Sequence, residues 1–289
     1  MENNFFVKSH GLGNEYIVLD SEKISFSLSE NAIRRICNVN YGIGTDGILL
    51  KTLPDKADFG LKIYNPDGSE AEKSGNGLRI FCKFLYDYKF TRSEKFSVET
   101  PGGIVMAEIV EEENGKAKTI KIDMGKAIFN NKQIPVDSDE EEFLGQKITA
   151  GDKEYEVNCV SVGNPHCVII KDELNVSEIK KYGPLLENHN LFPNRINVQF
   201  AKIISDSLVE ILIWERGAGY TLASGSSSCA VASVMVKRKL TDRHLIIKMQ
   251  GGILTIEIDR NWNISMTGEV REIASGVLSR ELISDLELK

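Results

Sequence analysis

Two stretches of this chain, EKSGNGLRIF at residues 72 to 81 and LASGSSSCAV at residues 222 to 231, set a serine ahead of glycine and small polar residues. Each then runs into an apolar, helix-like pattern. Ser74 and Ser224 stand 150 residues apart in a chain of 289. Taken singly, either serine reads as a helix N-cap, for which its hydroxyl is well suited. As a pair they suggest more. A helix that starts Gly75-Asn76-Gly77 exposes backbone N–H groups at the positive end of its dipole, an anion site suited to a carboxylate. Gly225, Ser226 and Ser227 offer the same in the second half. Two such sites facing across a domain interface would grip one carboxylate-bearing ligand between mirrored side chains. That symmetry suits a symmetric reaction, the movement of a proton from one face of a carbon to the other.

The serine turns belong to a wider repeat. GNEYIV begins at Gly13 and GNPHCV at Gly163; GGIVMAEI begins at Gly102 and GGILTIEI at Gly251. Three matches in chain order at nearly constant offset indicate internal duplication. The elements repeat too. YIVLD and CVIIKD are β-rich runs, and FGLKIY and LVEILIW read as strands leading toward the serine turns. SENAIRRICNVN and SEIKKYGPLLENH carry helical spacing behind a serine start. After the first turn Leu78, Phe81, Cys82 and Leu85 form one apolar stripe, whereas residues 229 to 236 are apolar nearly all round. FSVETPGGIVMAEIVE and LIIKMQGGILTIEID read as hairpins. Strands dominate, with one central helix per half. The expected class is α+β in two similar domains, joined between residues 120 and 150.

Composition narrows the function. The chain is 42% hydrophobic and 27% charged, as in an ordinary globular protein, and its net charge of −7 argues against a nucleic-acid partner. No run approaches a membrane span, and the start MENNFFVKSHGLGNEY lacks a signal-peptide pattern. Five cysteines without CxxC spacing read as free thiols of a cytoplasmic protein, and four scattered histidines give no metal site. GIGTDG, residues 42 to 47, matches the dinucleotide pattern but has neither a clear strand before it nor a helix after it, so it is set aside.

HGLGNEY, NPDGSEAEKSGNGLRIF, VGNPHCV, FPNRINV and ERGAGYTLASGSSSCAVA together resemble the successive motifs of the diaminopimelate epimerase family, from Gly11 to at least Gly268. The resemblance implies two α+β domains, each a mainly antiparallel sheet wrapped around a central helix, with the active site in the interdomain cleft. Residues 1–122 would form the first, with residues 275–289 packing back on it, and 123–274 the second. It implies a cofactor-independent amino-acid isomerase converting LL-diaminopimelate to the meso form, as a homodimer. By position, Asn65, Asn164, Asn197 and Arg216 match residues for the non-reacting end of the substrate. Amides and a bidentate guanidinium suit that end. Glu215 matches the group that receives the substrate ammonium, and Asn14, Gly75, Asn76, Gly225 and Ser226 match the remaining polar contacts. Asp46 and His166 match family positions with a possible supporting role.

The resemblance breaks where the chemistry lies. In the family, positions 74 and 224 are both cysteine, one taking the α-proton as thiolate and the other returning one from the opposite face. A helix N-terminus lowers a thiol toward working pH, whereas a serine hydroxyl needs an adjacent base. No Ser/His/Asp spacing of that kind surrounds either serine, so lowered activity is expected. Tyr220 and Ser227 depart as well, standing where the family usually has Glu and Gly. Three readings stay open: an epimerase of reduced activity, a related racemase or hydroxy-amino-acid dehydratase, and a member that binds an amino acid without turning it over.

Overall fold

The structure is a computed structural model and describes residues 2–287, so Met1 and residues 288–289 of the expected C-terminal return lie outside the described residues. The chain divides into two compact units, Met1–Ile122 with Gly268–Lys289, and Asp123–Thr267. In chain order the first half carries β1 (Phe5–Gly11), β2 (Asn14–Asp20), α1 (Glu30–Cys37), β3 (Ile48–Thr52), β4 (Phe59–Tyr64) and β5 (Glu70–Ala71). Then follow α2 (Gly75–Asp87), β6 (Lys95–Thr100), β7 (Gly103–Glu113) and β8 (Lys116–Lys126). The second half continues, after a 3-10 turn at Asn131–Gln133, with β9 (Leu144–Ala150), β10 (Lys153–Ser161), β11 (Pro165–Ile170) and α3 (Val176–Glu187). It goes on through β12 (Asn197–Ser205), β13 (Leu208–Glu215), β14 (Gly219–Thr221), α4 (Gly225–Lys237), β15 (His244–Met249), β16 (Gly252–Ile258) and β17 (Asn263–Glu269). β18 (Arg271–Val277) and α5 (Arg280–Glu287) close the chain.

The duplication is present pairing by pairing. In unit 1, β1–β2 is antiparallel, β2–β3 parallel, β3–β4 antiparallel, β4–β6 parallel and β6–β7 antiparallel. In unit 2, β10–β11, β11–β12, β12–β13, β13–β15 and β15–β16 repeat that order. Even single bonds repeat: Gly102 N–H donates to Glu72 O at 3.1 Å, and Gly251 N–H to Leu222 O at 2.8 Å. β9 pairs antiparallel with β10, and the corresponding place beside β1 is filled by β18 from the C-terminal end. Unit 1 is therefore discontinuous in sequence.

The central helices follow from local composition and capping. Ser74 and Ser224 are both extended N-caps, and their hydroxyls accept from the N–H of Gly77 and Ser227. α1 starts behind Ser29 as its sequence predicts, but α3 starts behind Asn175, whose side chain accepts from Glu178 N–H, two residues earlier than the expected Ser177. Asn caps as well as Ser, and its position captures the free N–H first. α2 differs from the single-stripe expectation. Strands β1, β2 and β7 all pack on it, so Arg79 and Lys83 are buried along with Leu78, Ile80 and Phe81. Lys83 survives burial because it pairs with Asp87 at 2.8 Å and donates to Ala117 O, while Asp87 accepts from Ala117 N–H. In α4, buried Ser228 and Ser233 bond back to the carbonyls of Ser224 and Cys229, which satisfies a hydroxyl inside an apolar helix. The GIGTDG segment leads into strand β3 and not into a helix. The five cysteines are free and buried; burial raises the Cys37 thiol to about 11 and that of Cys82 further.

Candidate active site

Each unit presents a set of polar groups at the start of its central helix. In unit 1, Ser74 Oγ accepts from Gly77 N–H at 3.1 Å and lies 3.4 Å from the Tyr16 hydroxyl. The cap uses one of the helix's free donors, leaving the Gly75 and Asn76 N–H groups without an intrahelical partner. Asn14 opens β2 after a tight turn through Leu12 and Gly13, both at positive φ. Its Nδ2 donates to Asp46 Oδ2 at 2.9 Å, and its Oδ1 accepts from Asn76 Nδ2 at 3.1 Å. Asn76 in turn accepts from Arg79 at 2.7 Å. Asn65 stands in the turn after β4, where its side chain donates to Ser69 Oγ at 2.9 Å.

Unit 2 is organised around a buried histidine. His166 is fully buried, and burial pushes its pKa down to about 3, so the ring is neutral at physiological pH. Nδ1 accepts from Gln199 Nε2 at 3.1 Å, which leaves the proton on Nε2 to donate to Asn164 Oδ1 at 2.8 Å. Gln199 also bonds to Ser227 Oγ at 3.0 Å, and Ser227 N–H caps onto Ser224 Oγ at 3.4 Å. One chain of contacts thus runs from Asn164 to Ser224. His166 is thus held as a neutral ring between Asn164 and Gln199.

Glu215, Arg216 and Asn197 form a second cluster in unit 2. Asn197 Oδ1 accepts from Arg216 N–H at 3.0 Å while its Nδ2 donates to Pro165 O at 2.8 Å. The Arg216 guanidinium donates to Asn194 O at 3.0 Å. Buried Glu187 braces the turn: it accepts from Gly217 N–H at 2.9 Å, Trp214 Nε1 at 2.7 Å and Arg195 at 3.1 Å. Burial holds the Glu215 carboxyl above the usual carboxylate range, and the nearby Ser224 hydroxyl only partly offsets this. Sequence spacing did not reveal this neighbour of Ser224, because the β13–β14 hairpin turns the chain back on itself between the two residues. In unit 1 the group beside the Ser74 hydroxyl is the Tyr16 phenol, 3.4 Å away.

The structure therefore brings together Asn14, Asp46, Asn76 and the Ser74 cap in one unit, and Asn164, His166, Asn197, Glu215, Arg216 and Ser224 in the other. Gly225 and Ser226 begin α4 with Ser226 Oγ 3.4 Å from Ser224 Oγ. Sequence reading missed Arg79, Tyr16, Glu187 and Gln199. A lone amide in the apolar strand NVQFAKII and two cations, Arg79 and Lys83, among the apolar residues of α2 were the available signals.

The sequence model of the diaminopimelate epimerase family matches residues 6–130 and 158–273. Diaminopimelate epimerase 2 of a Nostoc species is 47% identical over 280 residues, covering 96% of this chain and 97% of that protein. Diaminopimelate epimerase of Agathobacter rectalis is 39% identical, covering 94% and 98%. Among solved structures, a probable proline racemase from Agrobacterium radiobacter superposes with a TM-score of 0.71 at 13% identity, covering 96% of this chain and 93% of that one. A hydroxyproline epimerase from Agrobacterium vitis gives 0.70 at 15% identity, covering 94% and 90%. These two share the fold.

Proposed function

Because this chain belongs to the diaminopimelate epimerase family and is thus an isomerase of the kind that acts on amino acids, we propose that it inverts one Cα of diaminopimelate, LL to meso, by proton transfer through Ser74 and Ser224 and without a cofactor. The observation that carries the reading is the matched pair of serines capping the central helix of each unit, with the Glu215 carboxyl near Ser224. A hydroxyl with a carboxylate acceptor can pass its own proton to that carboxylate as it takes the one leaving Cα. Because burial raises Glu215 above the usual carboxylate range, it accepts that proton more readily than an exposed carboxylate would.

In this reading the two hydroxyls serve opposite faces of one Cα. As the Cα–H bond breaks, Ser224 gains that proton and loses its own to Glu215. The carbanion is resolved by a proton from Ser74, which takes a replacement from the Tyr16 hydroxyl 3.4 Å away. The Tyr16 phenolate then regains a proton from solvent and Glu215 releases its own to solvent, which resets the pair. The unpartnered N–H groups at the starts of α2 and α4 receive the carboxylate at the reacting carbon, whose negative charge grows as the proton leaves. Asn65, Asn164, Asn197 and Arg216 take the distal end of the substrate. Ser224 has a carboxyl nearby and Ser74 a phenol, so turnover is slow relative to a thiol pair. We read the protein as a cytoplasmic homodimer. Among the described residues no helix is long and apolar enough to cross a membrane.

The test is restoration. Epimerisation of LL-diaminopimelate is compared in the natural chain, Ser74→Cys, Ser224→Cys and the double variant. The double variant should turn over at least about a hundredfold faster, within the range that a positioned acid–base pair contributes, and the single variants should gain little. Equal activity in all four forms would refute the assignment of these side chains as the proton-transfer pair.

A further inference from the structure

We propose that Arg79 and Asp46, at the two ends of one hydrogen-bonded chain, are positioning residues that turn the side-chain amides of Asn76 and Asn14 so that unit 1 offers a ligand N–H groups and not amide oxygens. Arg79 lies five residues beyond Ser74 and is fully buried in α2. Its Nη2 donates to Asn76 Oδ1 at 2.7 Å. Asn76 Nδ2 donates to Asn14 Oδ1 at 3.1 Å, and Asn14 Nδ2 donates to Asp46 Oδ2 at 2.9 Å. The same oxygen of Asp46 accepts from Glu15 N–H at 3.0 Å, and Asp46 N–H donates to Glu15 O at 3.0 Å, so the residue is tied to β2 by its side chain and by its backbone.

The direction of the chain is set by chemistry at its ends. A guanidinium only donates and an ionised carboxylate only accepts, so neither amide can turn over without facing like against like. Each amide oxygen is thereby engaged, and each Nδ2 keeps one further hydrogen for a ligand. Room for the guanidinium depends on Gly11, where a Cβ would come within 3.2 Å of Arg79 Nη2. The device belongs to one half alone: at the same 150-residue offset Arg79 is matched by Cys229 and Asp46 by Ile196. Its consequence for selectivity rests on the reading above that the start of α2 receives a carboxylate.

The experiment follows the side-chain amide resonances of Asn14 and Asn76 in the 15N-labelled full chain, with Asn65 as the control in the same unit. Asp46→Ala, at an exposed position, should shift the Asn76 amide as well as that of Asn14, and Arg79→Met should shift the Asn14 amide as well as that of Asn76. Asp46→Asn and Arg79→Lys, which keep an acceptor and a donor, should restore the natural signals. Each disrupting variant should also bind LL-diaminopimelate about tenfold more weakly, the worth of one misdirected hydrogen bond. Shifts confined to the immediate neighbour of each substitution would overturn the proposal. If the natural chain binds no diaminopimelate, the substrate reading fails while the amide signals still decide this one. Should Arg79→Met not fold, Asp46→Ala alone reads the chain from its exposed end.

Discussion

Replacing His166 by Gln should flatten the acid limb of the stability of unit 2. The folded chain does not protonate this ring until about pH 3, whereas an unfolded histidine takes its proton near 6.5. The buried neutral ring thus favours the folded state fully above pH 6.5, and the advantage is lost as pH falls toward 3. Between about pH 7 and about pH 5 the loss comes to ~2 kcal/mol, since each unit of pH below the unfolded value costs ~1.4 kcal/mol. A glutamine keeps an N–H for Asn164 Oδ1 but has no proton to gain. Both tryptophans, Trp214 and Trp262, lie in unit 2, so urea unfolding followed by tryptophan emission reports this unit. Carboxylates titrate in the same range and contribute to both proteins alike, so the quantity to read is the difference between natural chain and variant. That difference should shrink by about 2 kcal/mol from neutral to mildly acidic pH. Parallel pH profiles for the two proteins would refute the argument that His166 is held neutral by burial.

Other substitutions test the remaining supports. Asp87→Ala strands the buried Lys83 ammonium and should cost roughly 3–5 kcal/mol in denaturant unfolding, whereas replacing both partners by apolar residues should cost much less. Glu187→Gln turns an N–H toward donors that now share a carboxylate. It should lose about 1–3 kcal/mol, move Trp214 emission and weaken binding of a ligand with a distal carboxylate more than one without it. Gly47→Ala would place a Cβ 2.4 Å from Tyr64 O and 2.7 Å from the Tyr16 ring; it should displace Tyr16 from Ser74 and reduce whatever proton exchange the site performs. Glu215→Gln removes the carboxylate near Ser224 and should abolish that exchange; because the same position matches the group that receives the substrate ammonium, it should also weaken diaminopimelate binding.

The duplication was legible because glycine turns and alternating apolar strands are local signals, and they recur at nearly constant offset. The strand pairings of the two halves bear this out register by register. The serine caps were legible for the same reason: capping is decided within one turn of helix. What escaped was non-local. Arg79 sits inside an apolar helix, and nothing in its sequence neighbours says that its guanidinium reaches back to Asn76. Glu215 is nine residues from Ser224 in sequence, and the intervening hairpin is what returns the chain toward that hydroxyl. His166 was weighed as a tuning group, whereas its fate depends on complete burial and on Gln199, a residue 33 positions away. The cap of α3 moved from a serine to Asn175 because two good capping residues lay within one turn of each other.

The most direct measurement is proton NMR of LL-diaminopimelate incubated with the protein in D2O. The account predicts slow loss of the α-proton signal with appearance of the meso product, and loss of that exchange in Glu215→Gln. Saturable binding with no exchange at Cα would contradict it, leaving a site that holds the amino acid without an acid–base pair able to move its proton.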